Sequence, residues 1–186
     1  MNFKHEKEQC LKKKDKSCKK SFDKRILPLL DIINRKENYY TTSSCSGRII
    51  LIEKPGRKKQ ECRWILASHD KVSFKQLKDS LKGLSKKPVW FQFESFIIHV
   101  CCRDLDSANT LLRLIKELGF KRSGIISMHN RIIIEVIGTE MMQTIVADKG
   151  KVLVDDAYLK EILDQANKKL ILNQENIKKL EKKLNI

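Results

Sequence analysis

Apolar residues recur along the chain in two patterns, one typical of helices and one typical of strands. Spacing of three and four predicts four helices, over residues 22–34, 73–84, 106–118 and 155–184. Runs of β-branched and aromatic residues predict strands over residues 39–42, 48–53, 63–68, 89–93, 96–101, 125–127, 131–137 and 142–146. Short connections between these strands favour antiparallel pairing. We therefore expect an α+β fold with a mixed, largely antiparallel sheet, flanking helices and a long C-terminal helix.

Three segments depart from this regular pattern. Residues 1–21 are rich in lysine and weakly apolar, so we expect a mobile N-terminal extension, followed by a single domain over residues 22–186. The polar residues 54–61 lie between two predicted strands and indicate a hairpin with an exposed basic tip. The second half of the last helix is half charged, so we expect it to leave the body or lie along its surface.

Composition indicates a chain that can fold without a membrane or a disulfide framework. The 186 residues are 41% hydrophobic and 33% charged, with only 7 Gly and 3 Pro. No run of about 18 apolar residues is present, and the first residues lack the apolar stretch of a secretory signal. We expect a soluble, cytoplasmic protein.

The charge balance points to a polyanionic partner. The net charge is +16, and residues 1–25 contribute ten basic and four acidic residues, so most of the excess lies beyond them. A folded body this basic favours nucleic acid, because lysine and arginine neutralise phosphates and release counterions. A proteome biased towards lysine, or solubility through net charge alone, are the alternative explanations.

The cysteines do not predict a metal centre. None of the six forms a C-x-x-C pair, and Cys101 and Cys102 are neighbours on a predicted strand, where they point to opposite faces. A zinc site assembled from two cysteines and two histidines is geometrically conceivable, from Cys45, Cys62, His69 and His99. Since the sequence supplies no close ligand pair, we predict no resident metal.

The common phosphate- and nucleotide-binding motifs are absent, and one polar segment stands out instead. The chain has no G-x-G-x-x-G, P-loop, H-E-x-x-H or G-x-S-x-G motif. The segment from Thr42 to Arg48, T-S-S-C-S-G-R, lies between two predicted strands. Gly47 permits a positive φ, hydroxyls and backbone amides can bind an anion, and Arg48 can hold a carboxylate or phosphate. An ordinary serine- and glycine-rich turn is the alternative interpretation.

Two histidines are candidate bases. His69 follows a predicted strand on which alternation places Trp64, Leu66 and Ser68 on one face and His69 opposite, and His99 lies within the strand over residues 96–101. Histidine is the side chain best matched to proton removal near neutral pH. A structural histidine with a satisfied hydrogen bond is the alternative for each.

Taken in order, these segments resemble one enzyme family. The stretch from Ser43 to Ile49, then Trp64 and His69, then F-E-S-F-I-I-H-V over residues 93–100, and G-F with S-G-I over residues 119–125 look like the tRNA wybutosine-synthesising methyltransferases. The resemblance continues through K-G-K-V-L-V over residues 149–154 and covers the chain from about residue 22 to beyond residue 170.

The resemblance implies a substrate and a cofactor, and these suggest roles for residues already described. Enzymes of this family catalyse the third step of the wybutosine pathway. They use S-adenosylmethionine to methylate a ring nitrogen (N4) of the precursor base at position 37 of tRNA-Phe. A base within reach could take the proton from the methylated nitrogen, and for this role we infer His69 and His99 as catalytic candidates. Donor or substrate contacts are expected from Ser44, Cys45, Ser46, Gly47, Arg48, Trp64, Ser123 and Gly124. Phosphate contacts are expected from Arg57, Lys58 and Lys59 at the hairpin tip. A non-catalytic RNA- or tRNA-binding protein is the alternative function.

Overall fold

The structure, a computed structural model, describes residues 2–12, 23–54 and 62–185. Its helices are α1 (Phe3–Leu11), α2 (Leu27–Arg35), α3 (Phe74–Ser80), α4 (Leu105–Glu117) and α5 (Asp156–Leu184). Its strands are β1 (Tyr39–Cys45), β2 (Arg48–Glu53), β3 (Arg63–Ser68), β4 (Val89–Glu94), β5 (Ile97–Cys102), β6 (Gly124–Ser127), β7 (Ile132–Ile137), β8 (Met141–Asp148) and β9 (Lys151–Val152). Every strand pair in the described ranges is antiparallel. The predicted α+β class is confirmed, with the strands divided between two sheets.

The chain forms two compact units that alternate along the sequence. Unit 1 comprises Met1–Ser46, Phe96–Thr139 and Gln174–Ile186, and unit 2 comprises Gly47–Ser95 and Glu140–Asn173. The single domain predicted for residues 22–186 stays a prediction.

Unit 1 is built on a four-stranded sheet with the strand order β1-β5-β7-β6. Alternation along β5 turns Ile98, Val100 and Cys102 to the core, where they pack with residues of α2, α4 and the end of α5. Ile97, His99 and Cys101 consequently face the other side of the sheet. The core face of β5 is therefore apolar, and the polar side chain of His99 lies on the opposite face.

Helix α1 lies within the segment predicted to be a mobile extension. Its Phe3 ring packs against the Tyr40 ring with centroids 5.3 Å apart, and Nζ of Lys7 donates to the carbonyl oxygen of Lys36 at 2.6 Å. The mean hydropathy of this helix is low, which is why its amphipathic character is weak in the sequence. The structure therefore shows a helix packed on unit 1 over Phe3–Leu11, whereas residues 13–22 lie outside the described residues.

Unit 2 is built on a five-stranded sheet with the strand order β3-β2-β4-β8-β9. One face carries Ile49, Leu51, Phe91 and Phe93, which pack against α3 and the first part of α5. Ser73 begins α3 through a capping box with Gln76, as a serine three residues before a glutamine favours. The tip of the β2–β3 hairpin, residues 55–61, lies outside the described residues.

Helix α5 is buried along one stripe over its whole length. Residues 156–173 belong to unit 2, where Leu163 and Leu170 join the core, and Ile177, Leu180 and Leu184 join the core of unit 1. Of the two alternatives predicted for its second half, this part of the helix does not leave the body but lies along the surface of unit 1, because its charged residues occupy the positions between these apolar ones. No helix in the described ranges is both long and apolar enough to span a bilayer.

Candidate functional site

The polar segment T-S-S-C-S-G-R passes from one unit to the other along the chain. Ser44 and Cys45 are in β1, where they pair with Ile98 and Ile97 of β5. Only Ser46 and Gly47 lie between strands, since Arg48 already begins β2. Gly47 has a φ of +90°, a conformation that glycine adopts without the steric cost that a side chain brings. The polar segment is therefore mostly strand, and only its two-residue connection lies between β1 and β2.

Ser46 is hydrogen-bonded to Asp23, which was not among the predicted site residues. Ser46 is 1% exposed, and its hydroxyl donates to Oδ2 of Asp23. The other carboxylate oxygen of Asp23 accepts from the backbone N–H of Arg25 at 3.2 Å. No local signal links Asp23 to Ser46, because they are 23 residues apart in the sequence.

Three polar side chains form a hydrogen-bonded row across the outer face of the sheet of unit 1. The strand register places Ser43 opposite His99 and His99 opposite Glu135. Oγ of Ser43 lies 2.8 Å from Nδ1 of His99, and Nε2 of His99 lies 3.0 Å from Oε2 of Glu135. The side chains of His99 and Glu135 are each 30% exposed. Glu135 was not among the predicted site residues. The signal available in the sequence was the alternation of side chains along β7.

The partners of His99 fix its tautomer. A carboxylate only accepts hydrogen bonds, so Nε2 of the neutral imidazole carries the proton and Nδ1 accepts from the Ser43 hydroxyl. Both ring nitrogens are thus engaged. A proton can reach Nδ1 of His99 in this arrangement through the Ser43 hydroxyl, which is exposed.

Two further predicted residues lie beside this row. Ser123 is buried, and its Oγ accepts from the backbone N–H of Ile137 at 3.1 Å, so it ties the start of β6 to the end of β7. Gly124 pairs with Glu135 in the register of β6 and β7. A Cβ at Gly124 would meet no heavy atom within 4 Å, so a close contact does not require glycine there.

Arg48 of unit 2 contacts a carboxylate and an indole ring. Its Nε and Nη2 atoms each lie 2.9 Å from Oε2 of Glu94, its cross-strand partner on β4. Its Cζ lies 4.4 Å from the centroid of the Trp64 ring. Trp64 remains 45% exposed, although it is a large aromatic side chain. This cluster presents a cation, a carboxylate and an aromatic face on one unit, which suits a ligand that carries complementary groups.

A β-bulge changes the predicted orientation of Trp64. Leu51 of β2 pairs with Leu66 and the next residue, Ile52, pairs with Trp64, so Ile65 is an extra residue in β3. Because Leu51 and Ile52 point to opposite faces, Trp64 and Leu66 do as well. The prediction that Trp64 and Leu66 share a face is wrong, since simple alternation takes no account of a bulge.

His69 lies directly beside the glycine of the polar segment. Its Nδ1 is 2.7 Å from the carbonyl oxygen of Gly47. A carbonyl oxygen only accepts, so Nδ1 carries the proton and the lone pair of the neutral imidazole is on Nε2. His69 therefore has the opposite tautomer from His99, with its basic nitrogen at Nε2.

The remaining predicted positions differ in what the structure says of them. Arg57, Lys58 and Lys59 lie outside the described residues. Cys45 and His99 belong to unit 1, whereas Cys62 and His69 belong to unit 2. Within the described ranges, no group of three or more His, Cys, Asp or Glu side chains is arranged to hold a metal ion.

Comparison with known proteins gives a match over nearly the whole chain. The family model described as Methyltransferase TYW3 matches residues 5–186. A Pyrococcus horikoshii protein named tRNA(Phe) 7-((3-amino-3-carboxypropyl)-4-demethylwyosine(37)-N(4))-methyltransferase 1 is 36% identical over 187 residues, covering 99% of this chain and 95% of its own. A Danio rerio protein named tRNA wybutosine-synthesizing protein 3 homolog is 36% identical over 188 residues, covering 97% of this chain and 72% of its own.

Solved structures match the fold as well. The PH1069 protein from Pyrococcus horikoshii superposes with a TM-score of 0.89 at 36% identity, covering 99% of this chain and 96% of that one. A hypothetical protein from Aeropyrum pernix superposes with a TM-score of 0.76 at 27% identity, covering 88% and 97%.

Proposed function

The chain belongs to the methyltransferase TYW3 family, and from this we propose that it transfers the methyl group of S-adenosylmethionine to a ring nitrogen (N4) of the wybutosine precursor at position 37 of tRNA-Phe, in the cytoplasm. The observation that carries the proposal is the 36% identity over 99% of the chain to a relative named for that reaction. The residues of the family resemblance, from Ser43 to Ile49 and from Phe93 to Val100, lie within that match.

The cluster around Arg48 fits the methyl donor chemically. S-adenosylmethionine supplies an electrophilic methyl group on a positively charged sulfur, and it carries a carboxylate, an ammonium group, ribose hydroxyls and adenine. The Arg48 guanidinium offers donors to a carboxylate, the Glu94 carboxylate accepts from an ammonium group or from hydroxyls, and the exposed Trp64 ring can stack on adenine. We assign these three residues to the donor.

His69 is the residue we assign as proton acceptor. Methylation of a ring N–H releases one proton, and the tautomer fixed by the Gly47 carbonyl leaves the lone pair of His69 on Nε2. His69 adjoins the donor cluster through the chain, because Gly47 immediately precedes Arg48. The other part of catalysis is alignment, since displacement at a sulfonium methyl needs little covalent help from the protein.

His99 is a second candidate that works differently. It would take a proton through the Ser43 hydroxyl, with Glu135 stabilising the imidazolium that results. We propose that further donor or substrate contacts come from five residues of unit 1: Ser44, Cys45, Ser46, Ser123 and Gly124. Arg57, Lys58 and Lys59 are the proposed phosphate contacts of the hairpin tip.

Methyl transfer to two forms of tRNA-Phe tests the proposal. Transfer from labelled S-adenosylmethionine is measured with tRNA-Phe carrying the precursor base and with tRNA-Phe carrying unmodified guanosine 37. We expect methylation of the precursor form only, and saturable donor binding by calorimetry. A protein that binds tRNA but shows neither donor binding nor transfer would instead be the non-catalytic RNA-binding alternative.

A further inference from the structure

Two loops of unit 2 meet and bring four lysines together. Gly150, in the turn between β8 and β9, lies against the loop between α3 and β4: a Cβ at Gly150 would be 3.9 Å from the carbonyl oxygens of both Leu84 and Ser85. Two exposed lysines lie beside this contact in the loop between α3 and β4, and two more flank Gly150, one in the turn and one at the start of β9. We call them the lysine surface: Lys86, Lys87, Lys149 and Lys151.

These four lysines lack the carboxylate partners that other lysines of the same unit have. None of the four forms an ion pair with another described residue. Elsewhere in unit 2, four lysines lie 2.6 Å from carboxylate oxygens: Lys78, Lys82, Lys168 and Lys169. The positive charge of the lysine surface is therefore not neutralised by ion pairs within the described part of the chain.

Backbone contacts hold the loop of Lys86 and Lys87 in place. The N–H of Lys87 donates to Oγ of Ser85 at 3.2 Å, and the N–H of Ser85 lies 3.4 Å from Oε1 of Glu53. The Glu53 carboxylate already forms an ion pair with Arg63, whose Nη2 lies 2.7 Å from the same oxygen. The nearby carboxylate thus anchors the loop without offering an ion pair to its lysines.

The turn of the second loop places a lysine where the backbone disfavours one. Lys149 has a φ of +50° and Gly150 a φ of +78°, as a two-residue type I′ hairpin turn requires. Glycine, asparagine and aspartate suit the first of these positions better. Asp148 caps the turn by accepting from the N–H of Lys149 at 2.9 Å. Conformational preference therefore does not explain a lysine at position 149.

We propose that the lysine surface binds backbone phosphates of the tRNA substrate. Four exposed ammonium groups on two mutually anchored loops match the repeating phosphates of an RNA strand, which they would contact without reading sequence. This inference rests on the proposed function for the identity of the RNA. It assigns the phosphate contacts to described loops of unit 2, in addition to those proposed for the hairpin tip.

A fourfold charge-neutralised variant tests the surface. The substitutions are Lys86→Gln, Lys87→Gln, Lys151→Gln and Lys149→Asn, the last because asparagine tolerates the left-handed conformation. The matched control removes four exposed lysines of unit 1: Lys116→Gln, Lys178→Gln, Lys182→Gln and Lys183→Gln. Affinity for precursor-carrying tRNA-Phe is measured by filter binding over a range of KCl concentrations, and donor affinity by calorimetry.

We expect the surface variant to bind tRNA at least about tenfold more weakly at about 100 mM KCl, since electrostatic affinity falls with each phosphate left without a cation. Its slope of log K against log salt should fall by about 0.7–0.9 for each phosphate that the variant no longer neutralises. The control should keep the wild-type slope, and both variants should keep wild-type donor affinity. An unchanged slope in the surface variant, or equal losses of affinity in both variants, would overturn the assignment.

Further outcomes separate this inference from the proposed function. If the surface variant loses binding to phosphatidylserine vesicles but not to tRNA, the surface serves a membrane and the inference is wrong. If the wild-type protein binds no tRNA, the proposed function fails first, and the RNA assignment fails with it. If wild-type tRNA binding and methylation hold but the surface variant matches wild type, only the lysine surface is refuted.

Discussion

Nδ1 of His69 and the carbonyl oxygen of Gly47 lie 2.7 Å apart. This hydrogen bond couples the one positive φ of the polar segment to the protonation pattern of a histidine 22 residues later. The Gly47 carbonyl can only accept, so it selects the tautomer in which Nε2 is basic. The backbone conformation of Gly47 thereby helps to determine which ring nitrogen of His69 is basic.

Replacement of His69 by asparagine should slow chemistry rather than binding. The asparagine amide retains a donor for the Gly47 carbonyl but removes the basic nitrogen. Loss of a general base costs about 10²–10⁴-fold in rate, so single-turnover methyl transfer at saturating donor and tRNA should fall by that factor. The donor dissociation constant should not change. A rate within about threefold of wild type, far above that expected without a general base, would exclude His69 as the base.

The row of Ser43, His99 and Glu135 should behave as one coupled group. If His99 takes protons through Ser43, then Ser43→Ala and His99→Asn should each lower the single-turnover rate, and the double variant should be no slower than the slower single one. Glu135→Gln should lower the rate less, because the amide still accepts from Nε2. Additive losses of rate, or lower melting temperatures at unchanged rates, would mean that the row is structural.

Removal of the Arg48 guanidinium should weaken donor binding and leave the fold intact. A hydrogen bond to a charged group contributes about 1.5–3 kcal/mol, so Arg48→Ala should raise the donor dissociation constant about 10- to 100-fold and abolish methylation at ordinary donor concentrations. Trp64→Ala should lose about 1–3 kcal/mol of stacking, which Trp64→Phe should partly restore. Calorimetric titration measures both, with thermal melts as the folding control. Normal turnover by Arg48→Ala would remove this cluster from the site.

The ion pair of Glu53 and Arg63 should make unit 2 sensitive to acid. Hydrogen bonds from Arg63, and then from Ser85, outweigh burial and lower the pKa of Glu53 from 4.5 to about 2. The stabilisation is therefore complete above about pH 5 and is lost as the pH falls towards 2. Glu53→Gln should be less stable than wild type at neutral pH, and the difference should shrink with acid. Urea unfolding across this pH range measures it, and a pH-independent difference would contradict the pair's role.

Helix α1 should stabilise unit 1 without being the RNA contact of the N-terminal segment. Phe3→Ala removes the ring that packs on Tyr40, so the melting temperature should fall, while the salt dependence of tRNA affinity should stay at the wild-type slope. Deletion of residues 1–21 would remove this packing together with the lysines. The point substitution therefore separates the effect of packing on stability from the effect of the lysines on tRNA affinity. A changed slope of log K against log salt in Phe3→Ala would mean that α1 contacts the RNA.

Local patterns in the chain were enough to predict the helices and strands and the reactive side chains that they carry. Helical and strand spacing predicted α2 to α5 and the longer strands within a few residues, because burial of one face imposes those periods locally. The polar segment and the two histidines were also visible, since residue type and order alone carry them. Even the family resemblance is a property of short segments in a fixed order.

The hydrogen-bond partners of these residues, and the tautomers of the histidines, depend on tertiary contacts. The hydrogen bonds of Glu135 and Asp23 could not be predicted, because the residues they bind are 36 and 23 positions away. A bulge in β3 places Trp64 on the face opposite to Leu66, contrary to simple alternation. The lysine surface forms where two loops contact each other. A hydrogen bond between distant residues depends on strand register and loop contacts, which the local period of a sequence does not specify.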